Sequence, residues 1–160
     1  MTAFKMTLAF GLVAFSGVCR GQESFTIRGL GGTSVVLSAA DLAKFPHKTV
    51  TTTDHGAPAA FDGVLLADVL AKVDLPLGDK FHSTAAGYYV LAEGSDGYRA
   101  LFAWAELDAT FMDKAIYVVT SRDGKLLPAK DGPFQLVVPG EKRGGRWVRH
   151  LITLTVQLAK

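Results

Sequence analysis

The sequence predicts one strand-rich α+β domain with short helices, spanning residues 22–160 behind a removable leader, and three observations carry that expectation. The chain has 160 residues, 49% hydrophobic and 20% charged, enough apolar matter for a core and too much for a disordered segment. Short runs rich in β-branched and aromatic residues recur between clusters of Gly, Asp and Pro, whereas helical periodicity is always brief. No internal repeat, low-complexity linker or shift of composition divides the chain after its first residues.

The leader is read from order. A single Lys5 precedes an apolar run over residues 6–19, and the polar Arg20-Gly21-Gln22-Glu23-Ser24 follows, which is the pattern of a secretory signal peptide (residues 1–21) cut near Gly21. The run is shorter than the roughly 20 residues of a membrane span. The expected product is exported, periplasmic or extracellular, and without stable membrane insertion. Branched Val18 before Cys19 argues against a lipid-attachment site. Removing residues 1–21 takes away Lys5, Arg20 and the only cysteine, leaving 15 basic and 15 acidic side chains and no thiol. Intramolecular disulfides, thiolate metal ligation and cysteine nucleophiles are thereby excluded from the mature chain. A neutral exported chain also lacks the basic footprint that binding to nucleic acid requires.

The elements follow in order. Phe25-Thr26-Ile27-Arg28 and Thr33-Ser34-Val35-Val36-Leu37 flank Gly29-Leu30-Gly31-Gly32, a hairpin signature. Ser38 and Asp41 form a helix-capping pattern, with Leu42 and Phe45 facing the core and Pro46 stopping the helix. Residues 47–53 read as a strand and Asp54-His55-Gly56-Ala57-Pro58 as a turn. Val64, Leu65, Val69 and Leu70 have helical spacing that ends near Pro76 and Gly78, with Asp68 and Lys72 on another side. Residues 88–92 and 98–102 form a second hairpin, joined through Asp96-Gly97. A helical turn over 104–108, strands over 115–120, 134–138 and 151–156, and a turn at 121–124 complete the reading.

The densest charge lies on Lys142-Arg143-Gly144-Gly145-Arg146, with Arg149 and His150 close behind. Guanidinium groups bind phosphate through paired charge-assisted hydrogen bonds, and glycines let backbone amides approach the same oxygens. A solvated basic loop would carry the same residues. His47, His55, His82 and His150 show no metal-ligand spacing, and no cysteine completes a set. Asp54-His55 places a carboxylate beside an imidazole, fit for a ligand contact or for plain turn capping. Asp96-Gly97-Tyr98-Arg99 either stacks on a planar anion or simply makes a hairpin turn. There is no Gly-x-Ser-x-Gly elbow, and Ser34 breaks the dinucleotide pattern begun by Gly29-Leu30-Gly31.

Several short motifs follow one another along the chain. Phe61-Asp62-Gly63-Val64 with Leu66, Asp68 and Leu70 is followed by Asp96-Gly97-Tyr98, then by Asp123-Gly124 with Leu127-Pro128. Gly132-Pro133 with Leu136-Val137 and Pro139 comes next, and Arg146-Trp147-Val148 closes the series. Over residues 50–156 the chain thereby resembles the molybdopterin-binding domain of the sulfite oxidase family. The resemblance implies a mixed fold around a central pocket that holds a pterin cofactor, its phosphate on basic side chains. It matches Lys142, Arg143, Arg146 and Trp147 to the family's cofactor-proximal basic loop and Tyr98 to its pocket-edge hairpin; with His55 and Arg99, read from their turns, these are the expected cofactor contacts. Two departures accompany it. Gln135 stands where family members commonly carry Arg, and Thr51-Thr52-Thr53-Asp54-His55 occupies the loop where the family's metal-ligating cysteine is expected. Asp54 or His55 would be a harder ligand than thiolate, with altered redox chemistry. The leader also lacks the arginine pair with which exported molybdopterin enzymes that resemble this family leave the cytoplasm folded. Two expectations result. The first is an exported domain that takes a pterin-like or other anionic ligand, or a partner protein, without oxo transfer and with no metal. The second is a molybdopterin-dependent oxidoreductase with a non-cysteine metal environment. A collapsed pocket would leave a structural or interaction module.

Overall fold

β1 (Ser24–Arg28) turns back into β2 (Ser34–Ser38) through Gly31 and Gly32, both at positive φ, as the glycine-rich link predicts. A computed structural model describes residues 24–80 and 82–160. The leader and Cys19 lie outside the described residues. No helix among them is long and apolar enough to cross a membrane.

Ser38 caps α1 (Ala39–Leu42). Its hydroxyl accepts from the Asp41 amide, and the Asp41 carboxylate accepts from the Ser38 amide, a reciprocal box that satisfies two donors at the helix start. Leu42 is buried and Phe45 packs against the core, as expected.

β3 (His47–Asp54) and β4 (Ala57–Leu65) then pair along their full length through a tight turn at His55 and Gly56, both at positive φ. This corrects two sequence expectations. Ala57 and Pro58 belong to a strand and not to the turn, and Val64 and Leu65 close that strand instead of opening a helix; α2 is only Leu66–Leu70, continued by a 3-10 turn over Ala71–Val73. The strand is poor in residues that favour strands, so its register is set by neighbours on both sides. Gly63 is needed for the approach of the next strand, since a Cβ there would lie 2.3 Å from the Val118 carbonyl oxygen.

β5 (Tyr88–Gly94) and β6 (Arg99–Ala103) form the second hairpin, and α3 (Trp104–Leu107) follows. β7 (Tyr117–Arg122), β8 (Lys125–Leu126), β9 (Gln135–Val137) and β10 (Leu151–Leu158) finish the chain. One sheet runs β2-β1-β10-β5-β6, antiparallel except where β1 meets β10. The other runs β3-β4-β7-β8, with β9 beside β7. A single apolar cluster joins both: Phe25, Ile27, Val90 and Leu154 from the first sheet meet Phe61, Val64, Val118 and Leu136 from the second.

Two features of this topology place the site. The β3–β4 hairpin outruns β7, whose pairing with β4 begins only at Phe61; beyond that, Asp123 ends the ladder by accepting from and donating to Ala60. The tip with Asp54 and His55 therefore runs past the β7 ladder, tied to it by the ion pair between Asp54 and Arg122. The 138–150 connection also crosses from β9 in one sheet to β10 in the other, so its middle stands over the seam.

Candidate functional site

The crossing loop begins where Gly140 takes a positive φ after Pro139. Its far end is stitched to the fold. The Leu136 amide donates to the Val148 carbonyl, the His150 amide to that of Asp131 and the Leu151 amide to that of Phe134. Trp147 donates its indole N–H to the Val138 carbonyl and meets the Phe61 ring edge-on, with centroids 5.4 Å apart. The hairpin turn before β6 comes equally close, because a Cβ at Gly94 would lie 2.5 Å from the Arg149 carbonyl oxygen.

Between the loop, the β3–β4 tip and the β5–β6 turn lies a cavity of about 840 Å³. Of the residues the sequence singled out, His55, Tyr98, Lys142, Arg143 and Trp147 line it, and Asp54, Asp96 and the loop glycines join them. Tyr98 spans two of its walls, because its hydroxyl donates to the Gly145 carbonyl while its amide donates to Asp96. Lys142 and Arg143 are exposed and have no carboxylate partner among the described residues. They are the free positive charge of the cavity.

Arg99 and Arg146 do not line it, contrary to the sequence expectation. Arg99 sits on the outer face of its hairpin, opposite Glu93, and pairs with that carboxylate at 3.0 Å. Arg146 turns away from the cavity into a clamp: it bonds Glu106 at 2.8 Å and Glu141 at 2.5 Å and lies 5.1 Å above the Phe102 ring. Burial works to raise the Glu141 carboxyl, yet the hydrogen bonds from Arg146 and Lys114 outweigh it and hold that carboxyl below the ordinary glutamate range. Burial likewise opposes the charge on Arg146, and the two carboxylates more than restore it. Gln135, buried in β9, also stays outside the cavity, so the charge missing there is not missing from the lining.

Four side chains of the lining were not singled out as contacts or as parts of a motif: Thr52, Thr53, Glu141 and Arg149. Strand alternation near the turn gives no sign that the threonines face a cavity. Arg149 was visible only as one more charge behind the basic loop.

Does the lining suit a molybdopterin cofactor? The organic, phosphate-bearing part finds two unpaired cations, the open backbone of Gly145, and the rings of Tyr98 and Trp147. The metal does not find a matching donor set. Residues 24–160 contain no cysteine, and no three His, Cys, Asp or Glu side chains among the described residues converge on one point. The Asp54 carboxylate is already engaged by Arg122 at 2.5 Å, a guanidinium that also lies 5.5 Å above the Phe61 ring. The residues therefore fit the pterin anion and not a thiolate-ligated metal, and no reaction step follows from them.

Fold and cavity together define a strand-rich binding domain with a cationic, glycine-bearing loop over a pocket shared by two sheets. The family model for the oxidoreductase molybdopterin binding domain matches residues 20–160, and the chain belongs to that family. Among solved structures it is similar to the sulfane dehydrogenase SoxCD from Paracoccus pantotrophus, with a TM-score of 0.64 and 22% identity over 83% of this chain. The match spans 37% of that structure's chain, and at such identity the likeness is one of fold. No curated protein matches.

Proposed function

We propose that this domain binds a phosphate-bearing, pterin-like anion in the cavity beneath the 138–150 loop, in the periplasm or the extracellular medium, and performs no oxo transfer. The observation that carries this reading is the pair Lys142 and Arg143, exposed at the cavity and without a carboxylate partner among the described residues. Each charge-assisted bond from such a group to an oxyanion contributes about 1.5–3 kcal/mol. The want of a thiolate at residues 51–55 supports the second half, because that ligand's electron donation has no substitute in Thr52, Thr53 or the engaged Asp54. The apolar leader sequence supports export.

The test is elemental analysis for molybdenum, with pterin fluorescence after oxidative release, on protein purified from its own exported fraction. Pterin without metal is the expected result. Stoichiometric molybdenum would overturn the exclusion of oxo transfer and make His55 the first residue to replace. Absence of both would overturn the pterin reading and direct the search to a partner protein by pull-down.

A further inference from the structure

The open end of the β3–β4 hairpin borders a second cavity, away from the one beneath the 138–150 loop. Strand alternation puts Lys48, Val50 and Thr52 on one face of β3. Thr52 lines the first cavity, Val50 packs against the core, and Lys48 lines the second. The second cavity holds about 290 Å³ between β3, the start of α2 and the 106–117 segment. A dry cavity of about half that volume takes a benzene ring. Its walls are pinned. The Leu66 amide donates to the Ile116 carbonyl, and the Met112 amide to that of Asp108. The Asp108 carboxylate accepts from the amide and hydroxyl of Thr110 and from the Gly78 amide, which fixes the turn that carries Met112.

Five polar side chains border this cavity, and two of them are already engaged: Glu106 by Arg146 at 2.8 Å and Lys114 by Glu141 at 3.1 Å. Lys48 and Asp113 are exposed at its mouth, and neither has an ion-pair partner among the described residues. Tyr117 is only 7% exposed, yet its hydroxyl has no hydrogen-bond partner among the described residues. A buried tyrosine normally finds one. Among the described residues, only Oδ1 of Asp131 is both sealed from solvent and unpartnered, so the Tyr117 hydroxyl opens outward. The space its side chain borders is the cavity.

Three unpartnered groups of different kinds around an apolar hollow define a class of ligand. Leu107, Met112 and Ile116 accept a hydrocarbon body. A lone anion at the mouth would meet Asp113, and a lone cation would meet Lys48, whereas a molecule bearing both charges satisfies both. We infer that this cavity binds a small zwitterion with an apolar side chain, of the free α-amino acid class. Its carboxylate lies on Lys48 and the Tyr117 hydroxyl, and its ammonium on Asp113. The inference does not rest on the anion reading of the first cavity, which uses different residues.

The full chain is titrated with L-phenylalanine and with L-leucine, followed by calorimetry and by the ε-methyl resonance of Met112, the only methionine in residues 24–160. A saturable shift of that methyl is expected from at least one of them. For phenylalanine, 3-phenylpropionate lacks the ammonium and 2-phenylethylamine the carboxylate, and each should bind about tenfold more weakly than the parent. Lys48→Gln, Asp113→Asn and Tyr117→Phe should each weaken the tighter amino acid severalfold, with thermal unfolding followed in parallel. If Tyr117→Phe does not fold, the two surface variants decide. A Met112 methyl that neither amino acid shifts, or heat of binding without that shift, overturns the site. 3-Phenylpropionate or 2-phenylethylamine binding as tightly as phenylalanine overturns the zwitterion class. Affinity unchanged by both Lys48→Gln and Asp113→Asn overturns the assignment of the charges. None of these results touches the anion reading of the first cavity.

Discussion

The loop between β9 and β10 has a root and an apex of opposite character. At the root, Arg146 is held by Glu106 of α3 and by Glu141, with its guanidinium stacked on Phe102. At the apex, Lys142 and Arg143 meet no carboxylate among the described residues and face the cavity. Four positions separate the extremes, and in sequence the three cations look alike. What distinguishes them is whether a carboxylate from elsewhere in the fold comes within reach, and that depends on where α3 packs. Density of charge locates the loop; pairing decides which part of it holds structure and which part awaits a ligand.

The largest effect is expected at the root. Arg146→Ala removes two ion pairs and the Phe102 contact; it leaves Glu106, 20% exposed, without its cation and Glu141, 14% exposed, with Lys114 alone. Breaking a buried pair costs about 3–5 kcal/mol and an exposed one about 0–1, so this partly buried clamp should cost about 2 kcal/mol in denaturant unfolding. The loss has a pH signature. Because the Glu141 carboxyl is depressed in the folded state, its stabilising share is complete above the ordinary value of 4.5 and disappears as pH falls through the depressed value. The gap between the wild-type and Arg146→Ala stability curves should therefore narrow below that pH, down to the share of the Phe102 contact. Curves that stay parallel would break the distinction drawn for the root.

The apex should behave in the reverse manner. Lys142→Ala with Arg143→Ala is expected to leave unfolding within about 0.5 kcal/mol of wild type, as for ordinary exposed sites. Affinity for pterin-6-carboxylate should fall at least tenfold, or about 1.4 kcal/mol. A variant that loses stability and keeps its affinity would show that the apex is structural after all.

How much of this was legible beforehand divides along the same line between local and distant causes. The 24–38 hairpin, the Ser38–Asp41 box and the Asp96-Gly97 turn follow from residues next to one another, and the structure has each of them. β4 was missed because Pro58, Asp62 and Gly63 are poor strand formers, made into a strand by β3 on one side and β7 on the other. The site shows the same split. Tyr98, His55, Lys142, Arg143 and Trp147 were singled out from motif, composition and resemblance, and they line one cavity. The burial of Arg146 between two glutamates, and the anchoring of Arg149 on Asp131, depend on contacts 40 and 18 positions away in the chain, to which no periodicity points. The family itself was readable because ordered glycine and proline motifs mark backbone close approaches, such as that at Gly63.

The smallest effect sharpens the comparison where root and apex meet. Tyr98 reaches across from the β5–β6 turn and donates its hydroxyl to the Gly145 carbonyl, the link between the free apex and the hairpin wall. Tyr98→Phe deletes that one bond and keeps the ring, which is 46% exposed. A net hydrogen bond contributes about 0.5–1.5 kcal/mol, and its exposure places this one near the lower end. Global unfolding should scarcely move, since the clamp at Arg146 still holds the loop's base. Amide exchange at Trp147, whose N–H donates to the Gly144 carbonyl, should accelerate while that at His150 and Leu151 does not, because those two amides donate to Asp131 and Phe134 outside the loop. Acceleration spreading to His150 would mean that the loop loosens as one body, and root and apex would then be a single element that merely carries its charges in different company.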